Sequence, residues 1–298
     1  MAAPGAGEAI KADSGMTSNR TILITGVTGN QGGAVAQALQ GAGFHLRGLT
    51  RKPEGERAAA LTRQGIEIVK GDLDDEATMR PALAGAWGVF GVQNAGEAGV
   101  EREEAQGKRL ATLAREAGVE HYVYTSVGSA DRQTGVPHFD NKWRIEETVR
   151  GLRFPSHVIL RPVFFMENLL APFSLQGSRL AWALGPGTKL QMIAVDDIGW
   201  FGARAFTDAD ALNRREIDLA GDVRTMPAAA EILTKALGRP IAFAQTPFEQ
   251  VRQYSKEMAT MLEWFERVGY SADIVGLERE FGRKLTKLPD WARRQERF

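Results

Sequence analysis

The 298-residue sequence contains no cysteine. Disulfides, thiolate catalysis and cysteine-based zinc sites are therefore excluded, and the absence fits a reducing compartment, so we expect the protein in the cytoplasm. Histidine is also scarce. The four histidines, at positions 45, 121, 138 and 157, share no metal-ligand spacing, and we expect no metal site.

The chain has no excess of charge of either sign, because 37 basic residues balance 37 acidic ones. No overall field recruits polyanions, and no basic recognition helix is present, so we expect neither direct nucleic-acid binding nor an anionic membrane as a partner. No window approaches the run of about 20 apolar residues that spans a bilayer.

The opening segment MAAPGAGEAIKADSG lacks the apolar core of a signal peptide. Its composition favours disorder. We therefore predict that residues 1–20 are a disordered leader or a non-native extension, with Met16 as a candidate for the natural start.

Short apolar or β-branched runs alternate with segments of helical spacing from Thr21 onward, a pattern typical of a parallel sheet covered on both faces. The predicted fold class is α/β, a Rossmann-type doubly wound parallel sheet with a smaller C-terminal α/β lobe. Six strands are predicted, at Thr21–Thr25, His45–Thr50, Glu67–Lys70, Gly88–Val92, His121–Thr125 and His157–Arg161.

The regularity weakens after Arg161. We therefore assign residues 21–160 to the Rossmann-type domain and residues 161–298 to the smaller lobe, with some later segments expected to return to the first sheet. In this region the pattern predicts strands at Glu216–Leu219 and Ile241–Ala244 and helices around 227–237, 247–269 and 289–296.

A glycine-rich loop follows the first strand and opens a helix of small residues. Glycines there permit a tight turn and let the backbone approach a pyrophosphate, while the helix N-terminus supplies N–H donors for the anion. The pattern predicts dinucleotide binding; the alternative is a purely structural turn. The candidate cofactor-binding residues are Gly26, Thr28, Gly29, Asn30, Gln31 and Gly32.

The end of the second strand lacks the carboxylate that binds the ribose 2′-hydroxyl in NAD-preferring domains. No acidic residue occurs between Gly29 and Glu54, and the strand ends at Arg51. A guanidinium at this point can form bidentate bonds to the 2′-phosphate of NADP. We therefore predict NADP(H) as the preferred cofactor; the alternative is a solvated basic turn.

Two further strand ends carry candidate cofactor contacts. Asp72 and Leu73 follow the third strand and are assigned to the adenine edge, while Asp74, Asp75 and Glu76 are better explained as helix-capping and helix-dipole partners. Weaker candidates after the fourth strand are Gln93 and Asn94.

Several motifs occur together in one order, from about residue 21 to the C-terminus: TGVTGNQGG, LTRKP, GDLDD, the Gly107-Lys108 helix, VYTSV, HFDNK, LRPVFFMENLL and VDDIG. In this combination the chain resembles the NmrA-like family of atypical short-chain dehydrogenases/reductases. The resemblance implies an NADP(H)-binding Rossmann-type domain, a smaller C-terminal lobe, and a cleft between them for the nicotinamide.

Related dehydrogenases use a Tyr-x-x-x-Lys pair and a serine for proton transfer, with the tyrosine as acid. Here Lys142 is present, but His138 stands where the tyrosine would be, and Ser126 ends the fifth strand. We expect Lys142 to contact the cofactor and Ser126 to bind a substrate oxygen. The acid is left open between Lys142, made more acidic by desolvation and a nearby cation, and His138. The alternative is an ordinary helix on which Phe139 is the cap and Lys142 is solvated.

Aromatic residues follow the sixth strand at the edge where such sheets bind ligands. Pro162, Phe164 and Phe165 are candidate cofactor contacts, with a core role as the alternative. We assign structural roles to residues 195–199, and favour closure of the second lobe over a substrate pocket for Trp264, Phe265 and Tyr270.

Two functions follow from these features. One is an NADPH-dependent reductase of a small planar acceptor such as a quinone, an enone or another conjugated carbonyl. The other is a non-catalytic NADP(H) or redox sensor that regulates a protein partner, as the family resemblance implies. A homodimer is left open.

Overall fold

The computed structural model describes residues 20–295, so Met16 and nearly all of the predicted leader lie outside the described residues. The described part has thirteen strands: β1 (Thr21–Ile24), β2 (His45–Thr50), β3 (Glu67–Lys70), β4 (Ala86–Gly91), β5 (His121–Thr125), β6 (Ser156–Pro162), β7 (Phe164–Phe165), β8 (Leu175–Gln176), β9 (Arg179–Trp182), β10 (Leu190–Ile193), β11 (Glu216–Leu219), β12 (Asp222–Arg224) and β13 (Ala242–Gln245).

The same residues form twelve α-helices: α1 (Asn30–Ala38), α2 (Glu56–Arg63), α3 (Glu76–Leu83), α4 (Ala95–Ala98), α5 (Val100–Glu116), α6 (Pro137–Gly151), α7 (Val195–Thr207), α8 (Met226–Leu237), α9 (Phe248–Tyr254), α10 (Lys256–Arg267), α11 (Ile274–Phe281) and α12 (Leu288–Arg294). No helix within residues 20–295 has the length and apolar character needed to cross a membrane.

The main sheet has seven strands in the order β11-β6-β5-β4-β1-β2-β3. Neighbouring strands in this sheet are parallel. β1 pairs with β2 on one side and with β4 on the other, so the strand order reverses at β1. Ile22, Leu23 and Ile24 are at most 1% exposed, as expected for a strand covered by helices on both faces. The predicted doubly wound parallel fold is confirmed.

The six predicted strands are all present in this sheet as β1 to β6. Glu216–Leu219, which the sequence predicts in the later part of the chain, is β11 and pairs with β6 at the edge of the main sheet. The helix predicted over 247–269 is two helices. Ser255 separates them, and its side chain accepts a hydrogen bond from the Met258 N–H of α10 at 3.1 Å, because serine is a good helix cap.

The chain divides into two compact units that alternate along the sequence. The first contains the described residues up to Ser126, then Asn141–Leu160 and Ile198–Ile217. The second contains Val127–Asp140, Arg161–Asp197 and the described residues from Asp218. The second unit has two three-stranded sheets, β12-β10-β7 and β13-β9-β8, and its core includes Trp182, Trp264, Phe265 and Trp291.

Candidate functional site

The glycine loop after β1 is built by close backbone contacts. Gly26 has a φ of 58°, and the Gly29 N–H donates to the Gly26 carbonyl at 2.9 Å, which closes a tight turn. A Cβ at Gly32 would lie 2.4 Å from the Gly26 oxygen. Only glycine therefore allows α1 to begin directly against the end of β1.

The N-terminus of α1 has donors without capping acceptors. No side chain caps the helix, and no acidic residue occurs in its first turn. The first N–H groups of a helix have no acceptor within the helix, so those of Asn30, Gln31 and Gly32 are suited to an anion. The Gln31 side chain is fixed separately, because its Oε1 accepts a hydrogen bond from Thr125 Oγ1 at 2.6 Å.

An arginine of α2 contacts the glycine-rich loop. Arg57 Nη1 on α2 donates to the Thr28 carbonyl at 3.0 Å. No local sequence signal indicates this contact of Arg57, because the residue belongs to a helical pattern whose exposed face normally carries charge.

Arg51 lies at the end of β2, as predicted, and its guanidinium is paired with Glu97 of α4. Both side chains are more than half exposed. The hydrogen bond that Arg51 donates to the Glu97 carboxylate raises the pKa of Arg51. The predicted phosphate-binding cation therefore has a carboxylate beside it, and that carboxylate comes from the end of β4 rather than from β2.

Asp72 and Leu73 follow β3 and have local backbone contacts. The Asp72 carboxylate accepts from the Asp74 N–H at 3.0 Å, and the Leu73 carbonyl accepts from Arg109 Nη1 at 2.8 Å. As adenine contacts the two residues stay predictions.

The structure separates the roles of the neighbouring carboxylates. Asp75 caps α3 by accepting from the Ala77 N–H at 3.0 Å, which confirms its predicted role. The capping prediction for Asp74 is wrong. Its carboxylate accepts from Arg102 Nε at 2.6 Å and Gln106 Nε2 at 2.8 Å on α5, and the Arg102 bond holds the pKa of Asp74 below its usual value.

Gln93 follows β4 and is 6% exposed. Its Nε2 and Oε1 atoms have no hydrogen-bond partner among the described residues. Buried amides are normally hydrogen-bonded, so this side chain is suited to a polar ligand. The adjacent Asn94 is instead used as the cap of α4, where it accepts from the Gly96 N–H at 3.0 Å.

Ser126 directly follows β5 and is 4% exposed. Its N–H donates to the Leu160 carbonyl at 2.7 Å, whereas its Oγ has no partner within residues 20–295. Because β4 and β5 are neighbouring parallel strands, Gln93 and Ser126 both follow strands at the carboxyl edge of the sheet, where ligands of doubly wound folds bind.

Lys142 on α6 is paired with Glu103 on α5. The distance from Lys142 Nζ to Glu103 Oε1 is 2.8 Å, and the two side chains are 12% and 0% exposed. The same carboxylate accepts from Asn141 Nδ2 at 2.8 Å and from the Ala95 N–H at 3.1 Å. Glu103 therefore joins α6 to the start of α4.

The structure corrects three expectations about α6. The charge next to the Lys142 ammonium is the Glu103 carboxylate, not the expected cation. The alternative in which Lys142 is a solvated lysine is also wrong, because its side chain is only 12% exposed and its ammonium is paired with Glu103. Phe139 does not cap α6 either, since the helix begins at Pro137 and Phe139 lies within it, 1% exposed in the core of the second unit.

His138 belongs to the second unit, where its Nδ1 lies 2.6 Å from Glu257 Oε1 of α10. The carboxylate partner is 119 residues away in sequence, and no local pattern indicates it. As a proton donor His138 stays a prediction.

The residues after β6 also belong to the second unit. Phe164 is 7% exposed and packs edge-on against Trp182, with ring centroids 5.2 Å apart. This favours the core alternative for Phe164. Phe165, the next residue of the strand, is less buried and points to the opposite face. The Pro162 carbonyl accepts from the Gly128 N–H at 2.9 Å.

The two tyrosines in the described part of the first unit are not exposed to a ligand. Tyr122 and Tyr124 on β5 are fully buried, and desolvation raises the pKa of both. Trp264 and Phe265 are 4% and 3% exposed in the core of the second unit, which agrees with the predicted role in closing that lobe. Across residues 20–295 no group of three or more metal-ligating side chains is placed to hold a metal ion.

Comparison with known proteins links this geometry to one family. The model of the NmrA-like family matches residues 18–296. An NmrA-like family domain-containing protein of Dictyostelium discoideum is 25% identical over 91% of this chain and 95% of its own. An NAD(P)H azoreductase of Xenophilus azovorans is 29% identical over 78% of this chain and 79% of its own.

A further relative, an NmrA-like family domain-containing oxidoreductase of Cladobotryum sp, is 34% identical over 50% of this chain. The match spans about half of that relative, 48% of its length.

Solved structures share the fold over nearly the whole chain. Triphenylmethane reductase of Citrobacter sp., complexed with NADP(H), has a TM-score of 0.77 at 20% identity and covers 93% of this chain and 99% of its own. The negative transcriptional regulator NmrA in complex with NADP has a TM-score of 0.77 at 18% identity, with 94% and 96% covered. An NADPH-dependent quinone oxidoreductase from Escherichia coli has a TM-score of 0.75 at 24% identity, with 91% and 98% covered.

Proposed function

Because the chain belongs to the NmrA-like family, we propose that it binds NADP(H) on the seven-stranded sheet and reduces a quinone, an enone or another conjugated carbonyl. One observation carries the proposal. Ser126 and Gln93 follow neighbouring strands, are buried, and have polar side-chain atoms without partners among the described residues. Such atoms are costly to bury unless a ligand binds them.

The cofactor contacts are proposed for the first unit. The N–H groups at the start of α1 bind the pyrophosphate, because they are uncapped and follow the close-packed glycine loop. Arg51 binds the 2′-phosphate, and Asp72 and Leu73 contact the adenine edge. The NADP(H) complexes of proteins with this fold support this cofactor.

The residues after β5 and on α6 are assigned to the reaction. NADPH supplies the hydride when it is bound. Ser126 Oγ donates a hydrogen bond to the acceptor oxygen, and Lys142 holds the nicotinamide ribose. A conjugated acceptor spreads the developing negative charge, so it needs a weaker acid than a simple ketone does. The proton that completes the reduction comes from Lys142 or His138.

NADPH oxidation by the full chain against a panel of quinones and enones tests this proposal. We expect turnover with at least one acceptor. Ser126→Ala should lower the rate constant by roughly 10²-fold, as losing an oxyanion donor does, while leaving NADPH binding intact. Lys142→Ala should weaken both binding and turnover. Lys108→Ala is the matched control, because Lys108 pairs with Glu104 at the surface. No NADPH oxidation above background on the whole panel would exclude the reductase.

A second candidate function is a non-catalytic NADP(H) sensor, favoured by the histidine at position 138 in place of the tyrosine. A ligand shifts an equilibrium only through differential affinity for two states. The sensor is therefore supported if the chain binds NADP(H) without turnover and binding changes its oligomeric state or its affinity for a partner. The sensor is excluded if the chain binds NADP and NAD equally and binding changes neither its oligomeric state nor its affinity for a partner.

A further inference from the structure

The ion pair between Arg51 and Glu97 joins two strand ends of the main sheet. Arg51 directly follows β2, and Glu97 lies on α4, which follows β4. Arg51 Nη2 donates to Glu97 Oε1, and the side chains are 55% and 59% exposed. Both groups are thus open to solvent, and a ligand can reach the guanidinium at this position.

A carboxylate and a phosphate bind a guanidinium through the same N–H donors. A 2′-phosphate on Arg51 must therefore displace Glu97 from the Arg51 donors or share them with it. A cofactor with a free 2′-hydroxyl does not have this requirement. We propose that Glu97 is a specificity-determining residue that competes with the 2′-phosphate for Arg51 and so limits the preference for NADP(H) over NAD(H). The inference rests on the proposed role of Arg51.

The position of Glu97 is fixed by the segment that carries it. Asn94 caps α4 through the Gly96 N–H at 3.0 Å, and the Ala95 N–H donates to the buried Glu103 carboxylate at 3.1 Å. Both contacts hold the N-terminal end of α4. The carboxylate is consequently presented to Arg51 by an anchored turn rather than by a free loop.

The other charges near Arg51 do not replace Glu97. Asp72 favours the charged form of Arg51 less than Glu97 does, and its carboxylate accepts from the Asp74 N–H. The nearby Arg102 donates to Asp74. Glu97 is therefore the acidic group with the strongest effect on Arg51.

Calorimetric titration of the full chain with NADP⁺ and with NAD⁺, at low ionic strength, tests the inference. Exposed ion pairs contribute little, so we expect Glu97→Gln to tighten NADP⁺ binding by roughly two- to fivefold and to leave NAD⁺ binding unchanged. Glu101→Gln is the matched control. It removes the same charge from the exposed first turn of α5 and should change neither affinity.

The double variant Arg51→Ala/Glu97→Gln decides how Glu97 acts. If Glu97 competes for Arg51, its substitution should have no effect on NADP⁺ affinity when Arg51 is absent. The same tightening in that background, or an unchanged affinity ratio in Glu97→Gln, overturns the inference. If Arg51→Ala alone weakens NADP⁺ and NAD⁺ equally, the role of Arg51 in the proposed function fails as well.

Discussion

At the scale of single residues, Glu103 has the largest effect we expect on stability. It is fully buried and holds Lys142, Asn141 and the Ala95 N–H. Glu103→Gln removes its charge and leaves the Lys142 ammonium, which is 12% exposed, without a counter-ion; breaking a fully buried pair costs roughly 3–5 kcal/mol, which is the upper bound here. The free energy of unfolding from urea denaturation should fall by up to that amount.

The adjacent Glu104 is the control for this change. Its carboxylate is 19% exposed and pairs with Lys108 and Arg144, which are both more than 40% exposed. Because solvent screens such pairs, Glu104→Gln should cost at most about 1 kcal/mol. If both variants lower the free energy of unfolding equally, the low exposure of the Lys142–Glu103 pair does not make it more stabilising than the Glu104 pairs.

Side-chain contacts between residues far apart in sequence could not be predicted. Arg51 was found because a missing carboxylate and a strand end are local features. Its partner Glu97 is 46 residues away, and the partner of Lys142 is 39 residues away. Those contacts depend on which strands are neighbours in the sheet, and the spacing along the chain does not specify this.

At the scale of elements, the contact of α1 with β1 depends on Gly32. A Cβ there would lie 2.4 Å from the Gly26 oxygen and 2.6 Å from the Thr25 oxygen. Both are backbone atoms, so the helix must shift. We expect Gly32→Ala to lower the free energy of unfolding by about 1–3 kcal/mol, as overpacking does, and to abolish NADP⁺ binding in calorimetry.

Gly151→Ala is the matched control, because a Cβ at that helix end meets nothing within 4 Å. It should change stability by less than about 0.5 kcal/mol and leave cofactor binding intact. Normal NADP⁺ affinity in Gly32→Ala would contradict the role assigned to the loop.

The elements themselves were predictable to different degrees. β1, β4 and β5 are largely buried on both faces, so each appears as a mostly apolar run between breaks. The interruption between α9 and α10 was missed because the apolar spacing continues through Ser255, and its capping role depends on local geometry.

At the scale of the whole molecule, the α/β class could be predicted because it depends on the order of strands and helices alone. The alternation of the two units along the chain could not be predicted in detail. Residues 127–140 belong to the second unit although they lie between β5 and β6 of the main sheet, and this depends on long-range packing.

Global stability should fall in mild acid because of His121. Its ring stacks on Trp87, with centroids 5.4 Å apart, and burial lowers its pKa from the ordinary 6.5 to about 4. Between these values the unfolded chain binds a proton that the folded chain excludes. The stabilisation is therefore present above pH 6.5 and is lost as the pH falls to 4, by about 3 kcal/mol in total.

Urea denaturation between pH 7.5 and 4.5 measures this loss, with His121→Gln as the test variant and the exposed His45→Gln as control. Burial raises the pKa of Glu167 and Asp197, which acts in the opposite direction, so the difference between variant and wild type is the relevant quantity. His121→Gln should flatten the dependence and His45→Gln should preserve it. A wild-type slope retained in His121→Gln would show that the His121 ring is not held neutral by the fold.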